Sequence, residues 1–370
     1  MMGPLLAVAP QPIQGFFDLV NLLCEPWLFF TLTMVVFFAA IYFRRTLVKP
    51  PVALGILIAS VAAILVSFMS PQFKAEASKP DNAPIFMLVY ITGFCIWLAF
   101  WQAVKNDERL ARGEKPEEYE VGKTRLHVWP YLLYIEGIVA AFVLAALFIW
   151  ALSLEAPLEQ AANPAKSPNP AKAPWYFLGL QEMLVYYDPW IAGVVLPGMI
   201  ISGLIVIPYC DPNPKGLGYY TFAERKLAVT TFLFGFLIMW VVLIFVGTFM
   251  RGPNWNFFGL YEPWDVHKVL SLNNVNLSQM FWQDGMGKAL PAAWWQREWP
   301  GFLLILAYFA VLPGVIMKLA PKLYRDLGFI RYSVLVVHFL VMLSLPIKMY
   351  LRWSLNLKYI VSIPEYFFNI

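Results

Sequence analysis

Long apolar runs separated by short polar connections dominate the chain, at 27–44, 51–70, 84–104, 128–153, 190–209, 226–250, 301–320 and 329–349. A helix rises about 1.5 Å per residue, so roughly 20 mostly apolar residues cross about 30 Å of hydrocarbon with every backbone group bonded internally. The pattern predicts an all-α, polytopic transmembrane helical protein of about eight transmembrane helices, with both termini on one side.

Composition agrees with this reading. Of 370 residues, 60% are hydrophobic and 14% charged, against about 25% charged in soluble domains. A chain so poor in charge cannot clothe one core in hydrated surface. Lys and Arg gather on the side of the 105–127 loop, among them Arg44, Arg45, Lys105, Arg125, Lys215, Arg225, Lys226 and Arg331. This marks that side as inner and places both termini and the 155–188 loop outside. The formal charge of +4 is small and its basic residues sit near helix ends, which excludes nucleic acid as a partner and points to lipid contact. Met1 to Gln14 carries neither Lys nor Arg nor a cleavable pattern, so the first span is expected to serve as its own insertion signal. Cys24, Cys95 and Cys210 are odd in number and far apart. None lies in a Cys-x-x-Cys or Cys-x-x-Cys-His setting, so covalent haem c, zinc and iron–sulfur ligation are not expected.

Three blocks follow from the polar connections. Residues 1–104 form an N-terminal extension with three transmembrane helices and no motif tied to chemistry. Residues 105–250 open on a mixed-charge stretch from Lys105 to Arg125, a solvated linker or surface helix, and continue as span, outer loop, span, basic inner loop, span. The outer loop from Glu155 to Asp188 holds Pro157, Pro164, Pro168, Pro170 and Pro174 and is predicted to be extended, with a short interfacial helix over Tyr176–Tyr187. Residues 251–370 add an outer loop with Trp255, Trp264, Trp282, Trp294, Trp295 and Trp299, then two spans. Such a density of tryptophan makes an interfacial belt or a docking surface.

One stretch carries chemistry. Lys172-Ala-Pro-Trp-Tyr-Phe-Leu178 lies between two spans. It is accompanied by Trp129-Pro-Tyr-Leu-Leu-Tyr134, Ala162-Asn-Pro164, Ile207-Pro208 and Glu224-Arg-Lys226 in order along the chain. Together these resemble the C-terminal half of cytochrome b, whose Pro-Glu-Trp-Tyr-Phe-Leu signature lines a quinol-oxidation site. Glu108-Arg-Leu-Ala-Arg-Gly113 is similar to the segment ahead of the first span of subunit IV, the separate chain that completes cytochrome b in split complexes. The resemblance covers about 105–250 and implies a subunit of a quinol:cytochrome c oxidoreductase (or one with a similar acceptor) in a bacterial inner membrane. Quinol or quinone would be bound at a shared site, and the chain would not be catalytic alone. The implied partners are a haem b-binding cytochrome b N-terminal subunit, a Rieske iron–sulfur protein and a c-type cytochrome.

Carried over residue by residue, the resemblance makes Pro174, Trp175, Tyr176, Phe177 and Leu178 the quinone-binding set. It departs at Pro174, where the family usually has a carboxylate that takes a proton. Family members using low-potential naphthoquinones vary more at this position, which favours menaquinol. The nearest substitute is Glu182, the candidate catalytic acid, since an acid in an apolar aromatic stretch is costly unless partnered or functional. Asp188, before Pro189, is the second candidate and equally suits a helix cap. Arg225 and Lys226 form an inner-side basic pair that fits membrane anchoring or an inner quinone pocket.

No protein metal site is expected, and no haem is expected to be ligated by this chain alone. Its three histidines, His127, His267 and His338, share no helix face, whereas two b haems need two histidine pairs. Haem b and the iron–sulfur cluster therefore fall to partner subunits. A different reading is a non-catalytic assembly subunit of an electron-transfer supercomplex. A transporter would show inverted repeats, and none is visible.

Overall fold

The computed structural model describes residues 11–121, 123, 127–155, 161–211, 218–270 and 274–370. Residues 1–10, Arg125, Pro157 and Lys215 lie outside the described residues. In chain order the main helices are α1 (Gln11–Leu23), α2 (Pro26–Tyr42), α3 (Pro50–Ser67), α4 (Pro71–Ala77), α5 (Ala83–Ala111) and α6 (Val128–Ser153). They continue as α7 (Trp175–Met183), α8 (Ile191–Cys210), α9 (Lys226–Met250), α10 (Trp299–Leu319) and α11 (Pro321–Leu355). Proline in the first turn opens α2, α3, α4, α10 and α11, where its missing N–H would have no partner anyway.

Among the described residues, seven helices are long and apolar enough to cross a membrane, or eight if α1 and α2 count as one bent span. The chain is an all-α polytopic membrane protein. The two arms of that span meet at 89°. With α2 along the membrane normal, α1 lies in the membrane plane. There it packs on the loop after α9, with the Phe17 and Tyr261 ring centroids 4.3 Å apart and the Asn21 side chain accepting from the Tyr261 N–H at 2.9 Å.

Several boundaries differ from the apolar pattern, each for a visible reason. Helix α5 runs past residue 104 because the polar groups that end its apolar run are buried and bonded. Asp107 accepts from the Thr221 hydroxyl at 2.5 Å and from the Ala223 N–H at 3.1 Å, and the Asn106 amide reaches the Tyr220 carbonyl at 2.9 Å. The C-terminal end of α5 thereby fastens the connection that leads into α9. Helix α11 starts at Pro321, but Gly328 breaks it at φ +71°, a left-handed value that favours glycine. Its membrane-length part then continues beyond residue 349 to Leu355. Helix α7 begins at Trp175 and ends at Met183, so the residues up to Tyr187 form a turn rather than helix.

The largest buried cluster joins α2, α8, α9 and α11 around Phe30, Leu196, Ile238, Leu243 and Met349, and includes Met183, Tyr186 and Tyr187. A second cluster sets Phe17, Phe73 and Ile85 against Ile244 and Phe249 of α9. Helix α9 is thus the central post, and wide π-type turns at Phe234–Val241 and Val246–Met250 interrupt its regular α-helical winding. Helix α6 is the opposite case, with nothing in its most apolar window buried.

The carboxy terminus folds back onto α10. A Cβ on Gly301 would lie 2.1 Å from the Ile360 carbonyl oxygen, and the buried Glu298 carboxylate accepts from the Ser362 N–H at 3.0 Å. Gly301→Ala is predicted to cost about 1–3 kcal/mol by overpacking. A lower thermal midpoint in detergent and faster proteolysis of the last ten or so residues check this; an unchanged midpoint contradicts the close approach.

Candidate functional site

The site is built on α7, a nine-residue helix between the proline-rich loop and α8. Pro174 supplies the extended conformation before the first turn (φ −53°, ψ 149°). From the second turn Gln181 reaches back. Its amide donates to the Ala171 carbonyl at 2.8 Å and its oxygen accepts from the Ala173 N–H at 2.8 Å, clamping the loop against the helix. Helix α7 crosses α9 with a glycine on each side of the contact. A Cβ at Gly179 would lie 3.5 Å from Ile244 Cγ1, and one at Gly247 would lie 3.4 Å from Leu178 Cβ, both ordinary van der Waals distances.

The inner face of α7 carries a charge that sequence reasoning left unpaired. Glu182 is 0% exposed, and Arg251, the residue after α9, meets it with two hydrogen bonds, Nη2 to Oε1 at 2.6 Å and Nε to Oε2 at 2.9 Å. The Tyr186 hydroxyl donates to Oε1 at 3.0 Å. Arg251 is completed by the Trp255 carbonyl at 2.7 Å and lies 3.6 Å from the Phe257 ring centroid. Burial works against the Arg251 cation, but the Glu182 charge and hydrogen bonds outweigh it and raise the pKa. Burial and then the Glu182 charge push the Tyr186 phenol upward, so it stays a donor. The arrangement is a bidentate, fully desolvated pair.

The outer face of α7 is open. Tyr176 is 48% and Phe177 51% exposed, with ring centroids 4.7 Å apart, and Trp175 meets Tyr176 edge-on at 5.6 Å. Trp175 is half-buried against the cluster of Phe73 and Phe249, and Leu178 is buried in the crossing with α9. Pro174 is exposed and offers no side-chain acceptor. Such a shelf can lie against a flat apolar ring.

The structure brings Pro174 to Leu178 and Glu182 together on one helix. Asp188 lies beyond its end, where it accepts from Asn369 Nδ2 at 3.0 Å. Arg225 and Lys226 stand at the other end of the 25-residue α9, about 37 Å from Arg251. Arg225 is ion-paired with Asp211 at the end of α8, and Lys226 is exposed.

His338 is bonded at both ring nitrogens, Nε2 to the Ser202 hydroxyl at 2.9 Å and Nδ1 to the Val334 carbonyl oxygen at 2.7 Å. His127 and His267 are exposed. These residues do not fit bis-histidine haem ligation. Among the described residues no three His, Cys, Asp or Glu side chains converge as a metal site.

Arg251 was missed as a site residue because it reads as an ordinary anchor at a span end. The signal was its position directly after an apolar run, with a lone acid, Glu182, left in another. Lys172 was also passed over. Its amine donates to the Thr248 carbonyl at 2.6 Å and lies 4.5 Å from the Trp264 ring centroid.

Residues 161–261 match the family described as cytochrome b(C-terminal)/b6/petD. That span contains α7, α8, α9, Lys172 and Arg251. A protein of Geobacillus thermodenitrificans named menaquinol:cytochrome c reductase cytochrome c subunit is 30% identical over 121 residues, 30% of this chain and 48% of the relative. A protein of the same name from Bacillus subtilis (strain 168) is 30% identical over 119 residues, 29% of this chain and 45% of the relative. The chain thus spans about half the length of the curated relatives it matches. No solved structure matches it significantly. The matched stretch is similar to the C-terminal segment of cytochrome b.

Glu182→Gln and Arg251→Met are each predicted to cost about 3–5 kcal/mol, because either leaves a buried charge or donor array uncompensated. The double variant Glu182→Met with Arg251→Met should recover most of that loss, since replacing both ions with apolar groups is often neutral. Thermal unfolding in detergent checks both. Additive losses in the double variant contradict the pairing.

Proposed function

We propose that the chain is the subunit IV-like component of a menaquinol:cytochrome c oxidoreductase and forms one wall of its outer quinol-oxidation site. The observation that carries this is the exposed Tyr176–Phe177 pair on a helix held rigidly from behind, within the segment matched to cytochrome b. A ring laid on that shelf would meet Pro174, Trp175, Tyr176 and Phe177, with Leu178 as backing. The name shared by the relatives supports menaquinol as the substrate. Their name also speaks of cytochrome c, and a c-type cytochrome enters this reading as the electron-accepting partner.

The b haems belong in this reading to a cytochrome b N-terminal chain, and the iron–sulfur cluster to a Rieske protein. The unpacked apolar surface of α6 supports a place beside a further membrane chain. Residues 105–250 form the cytochrome b-like module, with 1–104 and 251–370 as additions. The complex sits in a bacterial inner membrane with α7 and both termini on the periplasmic side, and Arg225 and Lys226 on the inner side. Glu182 enters as the charge that fixes α7. Proton exchange at its carboxylate requires release from Arg251.

The test is Tyr176→Ala in the intact complex. The reading expects kcat/KM for a reduced naphthoquinone to fall about tenfold, equivalent to ~1.4 kcal/mol, which one aromatic contact and its buried area supply. Haem content should stay unchanged. Undiminished quinol oxidation would leave an assembly role instead.

A further inference from the structure

Residues 362–369 form a hairpin of two short antiparallel strands, β1 (Ser362–Ile363) and β2 (Phe368–Asn369), closed by the turn Pro364-Glu365-Tyr366-Phe367. Its base is buried and bonded. Val361 and Ile363 are buried, the Ser362 N–H meets Glu298, and the Ser362 hydroxyl donates to Asn369 Oδ1 at 2.9 Å. Its tip is the reverse. Phe367 is 87% and Tyr366 68% exposed, and Phe367 sits at φ +51°, a left-handed value that a bulky residue adopts only under strain. Glycine would make the same turn without that strain. A phenylalanine ring held out at such a position adds nothing to the core, so what it meets lies outside the chain.

We propose that this hairpin is a membrane-interface anchor, whose Tyr366 and Phe367 rings insert among the phospholipid headgroups at the N-terminal end of α10. Its depth supports this. The 21 residues of α10 rise about 31 Å, so all are needed to cross about 30 Å of hydrocarbon and the first turn, from Trp299, stands at the boundary. The hairpin is bonded at that level, since Arg297 and Glu298, the two residues before α10, hold Glu365 and Ser362. The rings are also continuous with the lipid-facing side of α10. Tyr366 meets Trp294 edge-on at 6.2 Å, Trp294 meets Phe302 at 6.4 Å, and Phe302, Leu303 and Leu306 are exposed along the helix. The tip thus extends a surface that already faces hydrocarbon.

The chemistry of the tip suits this depth. Aromatic rings with a polar edge, phenol and indole, settle where hydrocarbon meets hydrated headgroups. The acid of the turn, Glu365, is drawn back onto Arg297, which reaches its two oxygens at 3.2 and 3.0 Å, so it does not repel lipid phosphates. Residues 364–367 include no Lys or Arg, and Arg297 beside them is committed to Glu298 and Glu365. Nothing at the tip therefore selects an anionic lipid, and a zwitterionic phospholipid is a sufficient partner. The other edge of the hairpin carries the consequence. Asn369 is bonded to Asp188, and the Phe368 ring lies 5.8 Å from that of Trp190, at the link between α7 and α8. An anchored tip sets the height of α7 in the bilayer, whatever chemistry α7 serves.

The experiment is site-directed spin labelling of the intact complex in phosphatidylcholine liposomes. The exposed native thiol is removed by Cys95→Ser, Cys24 and Cys210 being buried. Labels go on Phe367→Cys and, as the hydrocarbon reference, on Leu306→Cys of α10. Collisions with dissolved oxygen, which concentrates in lipid, are compared with collisions with a water-soluble nickel chelate. The label at 367 should show an oxygen-to-nickel ratio about threefold or more above that of free label in buffer, and below that at 306, as interfacial depth requires. Replacing part of the phosphatidylcholine with an anionic phospholipid should leave the ratio unchanged. Tyr366→Cys carries the same test if the Phe367 variant fails to assemble. A ratio equal to that of free label, a label shielded from both reagents by a partner protein, or insertion only in the presence of anionic lipid each overturns the proposal.

Discussion

The buried contact between Glu182 and Arg251 is the constraint on which the arrangement of this molecule depends. Moving two ions out of water costs several kcal/mol each, and only near-ideal geometry offsets it. That demand fixes α7 in both position and rotation. Its carboxylate must reach the guanidinium that ends α9, and two parallel hydrogen bonds tolerate little twist. With α7 so held against α9, Tyr176 and Phe177 point away from the core. The exposed aromatic shelf is a consequence of the hidden ion pair.

The other end of α7 is held by the carboxy-terminal block. Helix ends leave carbonyls without partners, and here the Lys358 amine donates to the Leu184 and Val185 carbonyls at 3.2 and 2.8 Å. Tyr187 is bonded to Ser344 of α11 at 2.6 Å, and Asn369 donates to Asp188. The carboxy-terminal block therefore buttresses α7. The amino-terminal block contributes from the opposite side, where Phe73 of α4 stacks on Phe249 at the end of α9.

The spans were legible because membrane crossing demands a fixed length of apolar residues, and every run of that length became a helix. Their ends were less so. Asn106 and Asp107 read as the start of a solvated linker or surface helix, yet they continue α5, because the Tyr220 carbonyl takes the Asn106 amide and Thr221 and Ala223 satisfy Asp107. The aromatic stretch at 175–178 stood out through its order relative to Ala162-Asn-Pro164 and Glu224-Arg-Lys226. That Glu182 needed a partner was legible too. The identity of the partner was not, since Arg251 lies 69 positions away and only the α7–α9 crossing brings it near. The surroundings of Lys172 were hidden for a similar reason, because they come from Thr248 and Trp264, both distant in sequence.

The most direct measurement is photolabelling of the intact, membrane-embedded complex with an azido-naphthoquinone, followed by peptide mapping. An aromatic shelf that holds the quinol ring should be labelled within residues 174–178, with labelling lost when an unlabelled site-directed quinone analogue competes. Label confined to other helices or to partner chains, with 174–178 protected by lipid alone, would contradict the account.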